Sequence, residues 1–374
     1  MGAVLFFEIR FLEEIFMYTA KILSIAKYAA LLLILPLFLS CSSVTGPRYY
    51  SHMITGEISI LANRAPITEL LADEATPEPL KQYLREVQEM REFAVYELGL
   101  PATKSYTTYV DIGRRFAQWV LTATPEFSVS PKTWCFPFVG CSSYLVFFDE
   151  EMAKQSEKDL RDRGYDASFR GATAYSTGGW FSDPLLNTIL ELPDYARAGV
   201  IFHEMAHEKL HVKKDTAFTE AFAVFVGETG QQKWIIRHYG NEAAEKFLVR
   251  TKRNDDFSQL MKNTRMELKT LYRKNIAPEK MRVLKQETFA EMQVKYAALK
   301  KTWDGYPGFD NWMTKKFNNA DIVGTDEYTN LVPFFKKLFK LSEENLGVFY
   351  EKAEAIANLP KMERYLEIEK ILSE

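Results

Sequence analysis

His203-Glu204-Met205-Ala206-His207 constrains this chain more than any other feature. On a helix, residues i and i+4 share one face, about 6 Å apart along the axis. Two imidazoles placed so can converge on one Zn²⁺ with Zn–N of ~2.0–2.1 Å. The stretch from Ala196 to Phe202 is apolar enough to set this helix in a core. Glu204 sits one residue past the first histidine, where its carboxylate reaches a metal-bound water and can take its proton. The competing reading is a helix with two surface histidines. The apolar helix argues against it, as does the histidine distribution: the chain has 5 His, and three fall between positions 203 and 211.

The third ligand is the next question. His211 continues the four-residue series, but lies roughly 12 Å along the axis from His203, too far for one tight shell. It reads better as a histidine at a helix end, favoured there by the dipole. Val212 to Thr216 form a short polar turn, with Asp215 or Thr216 as the cap of a second apolar helix from Ala217 to Val226. In an antiparallel hairpin centred between Lys213 and Lys214, His207 faces Glu220. A carboxylate on an otherwise apolar helix needs a partner, because a buried unpaired anion is very costly. His203, His207 and Glu220 leave the fourth position of one Zn²⁺ open for water, as a catalytic site requires. Glu228, past the apolar stretch, is the rival for the third place.

Residues 28–40 are an apolar run preceded by Lys21 and Lys27. It is shorter than the ~20 residues that span a bilayer, and has the length of a signal-peptide core. Phe38-Leu39-Ser40-Cys41 is similar to a lipobox, which predicts cleavage before Cys41 and a lipid on its thiol; Phe38 stands where Leu is usual. Glu8, Glu13 and Glu14 do not suit a signal, so a start at Met17 fits better. Cleaved soluble export and an uncleaved anchor are the alternatives. The expected location is the bacterial cell envelope, lipid-anchored on a periplasmic or outer-membrane face. Cys135 and Cys141, six apart around a Pro- and Gly-containing loop, read first as a local disulfide, with free thiols or metal ligands as alternatives. Net charge is −3, so no basic excess points to nucleic acid.

The expected layout is a signal at 1–40, a tether at 41–54, and one domain at 55–374 whose C-terminal part is helical from about residue 231. Residues 55–122 read as mainly helical, with apolar residues at helical spacing over Ile67–Leu71, Leu80–Leu98 and Tyr109–Leu121. Thr133–Phe136 and Tyr144–Phe148 read as two strands around a turn, 150–163 as a charged helix stopped by Gly164, and Arg170–Tyr175 as another strand. From Leu185 the chain reads as helical almost to its end. The fold class is α+β, mostly helical, with a small sheet and a helix hairpin carrying the site.

Several stretches together resemble the predicted bacterial aminopeptidase family of lipoproteins with a His-Glu-x-x-His site. They are Phe93–Pro101, Pro125–Phe127, Thr133–Pro137, Gly140–Cys141, Ala174–Phe181, Asp183–Pro184, Ile201–His207 and Asp215–Ala223. Leu145 stands where that family usually has Arg, and Thr219 where it usually has Asn. The resemblance implies a zincin-like fold of gluzincin type, His203, His207 and Glu220 as zinc ligands, Glu204 as base, and aminopeptidase action on peptides. A tetrahedral oxyanion needs a further donor. Tyr175 is the candidate, a core tyrosine at a strand end being its other reading. Trp180 either lines the groove or packs. Asp183 and Glu228 are candidates for holding a substrate ammonium. A non-catalytic envelope scaffold and an endopeptidase acting on envelope proteins are the alternative functions.

Overall fold

The structure is a computed structural model and describes residues 44–136, 140–174, 182–213, 215–323 and 331–374. The chain divides into Met1–Thr55 and Gly56–Glu374. The expected signal segment and Cys41 lie outside the described residues, as do Tyr175 and Trp180. No helix among the described residues is long and apolar enough to cross a membrane.

The first helix among the described residues, α1 (Pro47–Ala62), starts inside the stretch expected to be a tether. Then come β1 (Ala65–Pro66), α2 (Ile67–Ala72) and α3 (Glu78–Tyr96). Gly99, at φ 65°, lets the chain turn after α3, a left-handed conformation that a Cβ would strain. The helical spacing over Tyr109–Leu121 proves misleading. Thr108–Val110 (β2) and Gln118–Pro125 (β3) are strands. Alternate residues of β3 are buried from Trp119 to Ala123, which is strand periodicity rather than helical.

β4 (Trp134–Phe136), β5 (Gly140–Ser142), β6 (Leu145–Phe147), α4 (Glu150–Asp162), β7 (Tyr165–Ala172) and β8 (Leu185–Leu186) follow. The two aromatic strands expected to pair with each other do not. β4 pairs with β5, whereas β6 and β7 flank β3, both antiparallel. Cys135 and Cys141 stand opposite each other across β4–β5 and are disulfide-bonded. β2 joins β1 to β8, the latter in parallel. The sheets are small and the protein is mostly helical, an α+β arrangement.

The remaining helices are α5 (Asn187–Leu190), α6 (Asp194–Lys209), α7 (Thr216–Leu271), α8 (Pro278–Lys301), α9 (Asp310–Met313), α10 (Asn319–Val323), α11 (Val332–Lys340), α12 (Leu346–Ala357) and α13 (Lys361–Ser373). The second apolar helix does not end near Val226. It continues to Leu271 across a kink at Gly240, where φ is 78°. That kink separates two cores. Before it, α7 packs with α3, α6 and α11–α13. Beyond it, Phe257, Leu260, Met261 and Leu268 pack with α8 and the segment around Trp303–Val323. The helical C-terminal part is therefore split, and its last three helices return to the core that contains the His-Glu-x-x-His helix. There Phe218, Phe222 and Phe225 of α7 meet Phe335 and Phe349, with the Phe222 and Phe349 rings stacked at 5.9 Å.

Candidate metal centre

Pro193 precedes α6 and Asp194 occupies its first turn, where a carboxylate offsets the helix dipole. Ala198, Ile201, Phe202, Met205 and Ala206 are buried and fix which face of α6 looks inward. Leu210, in an extended conformation, ends the helix. His211 thus stands beyond it, and the i, i+4, i+8 series is broken. The turn to α7 is closed from within. The Asp215 carboxylate accepts from the Phe218 N–H, and Thr219 Oγ1 accepts from the Val212 N–H at 3.0 Å while lying 3.2 Å from the Asp215 carbonyl it donates to. Thr219, immediately before Glu220, is 2% exposed and sews the hairpin shut.

This hairpin gathers three donor atoms. His203 Nε2 and His207 Nε2 are 3.2 Å apart, and Glu220 Oε2 is 3.6 Å from each. Ligands bonded to zinc at ~2.0–2.1 Å in tetrahedral array lie about 3.3–3.4 Å from one another. The three atoms are close to that triangle. Among the described residues this is the one group of three or more His, Cys, Asp or Glu side chains able to hold a metal. Between 16% and 24% of each side chain's surface stays accessible, so the donors are not sealed in.

The electrostatics suit a cation. Burial works to neutralise Glu220, but the hydrogen bond from His203 and the charges of both rings outweigh it and hold the carboxyl below its usual range. Burial lowers His207 to about 4, with the neighbouring His203 ring adding to the effect. Burial also opposes a charge on His203, but the Glu220 hydrogen bond and the Glu204 and Glu220 charges prevail and raise it. An anionic carboxylate facing an imidazole that stays neutral at physiological pH is a donor set for a divalent metal.

Close helix approach makes this geometry possible. A Cβ on Gly227 would come within 3.1 Å of the His203 Cβ and 3.2 Å of the Gly199 carbonyl. Glycine is the residue that lets α7 lie against α6 at that height.

Two parts of the surroundings carry no local signal in the sequence. Asp215 is also bound from the far end of the chain. Arg364 of α13 donates to its Oδ2 and the Tyr365 hydroxyl to its Oδ1. Arg364 further donates to the Ala357 and Leu359 carbonyls and is 5% exposed. Glu208, one turn after Glu204 on α6, accepts from the Ser105 hydroxyl, which in turn accepts from the Asp183 N–H. Asp183 is thus buried beside α6. Glu228 faces Lys336 at 3.7 Å and lies outside the donor group.

The sequence matches the model of a family described as "putative aminopeptidase" over residues 48–368. No curated protein and no solved structure matches it.

Proposed function

The chain belongs to that putative aminopeptidase family, and on this premise we propose that it is a zinc-dependent peptidase, cleaving peptides from the amino end through a zincin-like site. The observation that carries the reading is the triangle of His203, His207 and Glu220 donor atoms with Glu204 beside the first histidine. A bound zinc ion would supply Lewis acidity, bringing a water molecule's pKa toward ~7 and polarising the scissile carbonyl. His203, His207 and Glu220 would hold it and leave one side accessible. Glu204 would accept the proton of the attacking water and return it to the departing amine, so that its own charge is unchanged over a turnover. Tyr175 is the hydroxyl assigned to the oxyanion, on sequence position alone.

Peptides are the proposed partners, with the membrane reached through a lipid on Cys41 and nucleic acid playing no part. The proposed location is the bacterial cell envelope. Loss of membrane association in Cys41→Ala would support the anchor; unchanged association would refute it.

The decisive test pairs metal analysis with hydrolysis of free and amino-blocked peptides, in wild type and Glu204→Gln. The expected result is one zinc per chain in both proteins, cleavage of free peptides by wild type, and a rate lower by about 10²–10⁴-fold in the variant. Cleavage of blocked peptides instead would favour the endopeptidase. Stoichiometric zinc with no hydrolysis in either protein would favour a non-catalytic envelope scaffold.

A further inference from the structure

Tyr106 combines two costs that a purely structural residue would be expected to avoid. Its backbone is left-handed, at φ 58°, which an aromatic side chain rarely adopts. Its side chain is 1% exposed, and its hydroxyl has no hydrogen-bond partner. A buried hydroxyl without a partner is destabilising relative to plain hydrocarbon. The backbone of this residue is pinned on both sides, the Tyr106 N–H donating to the Asp183 carbonyl at 2.7 Å and the Tyr106 carbonyl accepting from Gln88 at 3.0 Å, but neither bond reaches its hydroxyl.

The position of the turn is informative. Arg91 donates to the carbonyls of Thr103 and Ser105 at 2.8 Å each, which holds the segment in place. Ser105 binds Glu208. Glu204 and Glu208 are four apart on α6 and share a face. The second carboxylate oxygen of Glu208 is itself buried and without a hydrogen-bond partner. Ser105, the residue before Tyr106, thus ties the segment to the acidic face of the helix that carries the proposed base. The charges bear this out. Burial pushes the Tyr106 hydroxyl well above its ordinary range, and Glu204, Asp183 and Glu208 each push it further. The hydroxyl keeps its proton at any physiological pH and can therefore act as a donor.

We infer that Tyr106 is a positioning residue for Glu204: its buried hydroxyl donates through one enclosed water to the acidic face of α6 and fixes the base carboxylate for proton transfer. Strained backbone and unsatisfied polar atoms persist where function retains them. An enclosed water is reasonable where several buried polar atoms converge.

The inference rests on the peptidase reading, and Tyr106→Phe tests it, since only the hydroxyl is removed. Melting temperature, zinc content, kcat and KM are measured, with Tyr350→Phe as a control. The Tyr350 hydroxyl donates to the Leu98 carbonyl at 2.8 Å and holds structure alone. Tyr106→Phe is expected to melt no lower than wild type, keep its zinc and its KM, and lose kcat about 10- to 100-fold, the scale of a hydrogen bond to a charged group. Tyr350→Phe is expected to melt lower with kcat unchanged. A lower melting temperature with wild-type kcat in Tyr106→Phe would overturn the inference, as would a loss of zinc. An active wild type matched by Tyr106→Phe sinks the Tyr106 role alone. A wild type that holds zinc and cleaves nothing sinks the peptidase reading, and this role with it.

Discussion

Gly227 of α7 and His203 of α6 touch so closely that a Cβ on the glycine would lie 3.1 Å from the histidine Cβ. Helix packing and donor geometry are thereby one problem. Gly227→Ala adds a methyl group against a backbone carbonyl and a histidine stem, neither of which can rotate away. Overpacking of this kind typically costs about 1–3 kcal/mol. Calorimetry is expected to show that loss, and chelator competition a weaker hold on zinc. Unchanged affinity would mean that α6 and α7 separate without moving the rings.

The third donor is tested by contrast. Glu220→Ala removes the atom equidistant from both imidazoles. Removing even a ligand's outer partner lowers metal affinity about 10–100-fold, so loss of a ligand should exceed that. His211→Ala should leave stoichiometric zinc, because His211 stands beyond the end of α6. Metal analysis after dialysis against a weak chelator reads both. The opposite pattern would exchange the roles of the two residues.

Arg364 and Asp215 form a buried ion pair, with 6% and 2% of their side-chain surface exposed. Breaking such a pair from one side typically costs about 3–5 kcal/mol. Arg364→Met is expected to lower stability on that scale. Adding Asp215→Asn should recover part of the loss, because the amide still caps α7 but leaves no stranded charge. A double-mutant cycle by denaturant unfolding measures the coupling, and strict additivity would contradict it.

Glu228 gives a pH test. Burial raises its carboxyl, the Asp255 charge adds to this, and Lys336 offsets only part of it. The folded state therefore holds the proton more tightly than the unfolded chain. The ionised form is a liability at neutral pH, relieved as pH falls through the raised value toward the unfolded ~4.3. Glu228→Gln should raise the melting temperature at pH 7, with the gain shrinking to nothing in acid. Thermal scans across pH check the sign. Peptide hydrolysis should be unaffected, since Lys336 already faces this carboxylate.

Periodicity and spacing made the helix hairpin legible. Apolar residues on both arms fix the facing sides, and His207 and Glu220 fall at matching heights across the turn. The strand at Gln118–Pro125 is hard to see in the sequence because apolar residues at helical spacing over Tyr109–Leu121 run into its start, while the alternation of Trp119, Leu121 and Ala123 is short. Only pairing with β6 and β7 separates the two readings. Glu208 with Ser105, and Asp215 with Arg364, could not be read at all. Each joins residues more than 100 positions apart through ordinary polar side chains, with no local pattern to mark them. Asp215 is visible in the sequence as a cap, and the structure adds what holds the cap.

The clasp of Asp215 by Arg364 also orders events during biosynthesis. His203, His207 and Glu220 are made long before α13, which lies about 140 residues further along the chain. Until Arg364 has been synthesised, the start of α7 lacks the cation that neutralises its capping carboxylate. A growing or truncated chain would then own every donor without the frame that sets their spacing. Arrival of Arg364, rather than appearance of the motif, marks the moment at which the start of α7 can be neutralised.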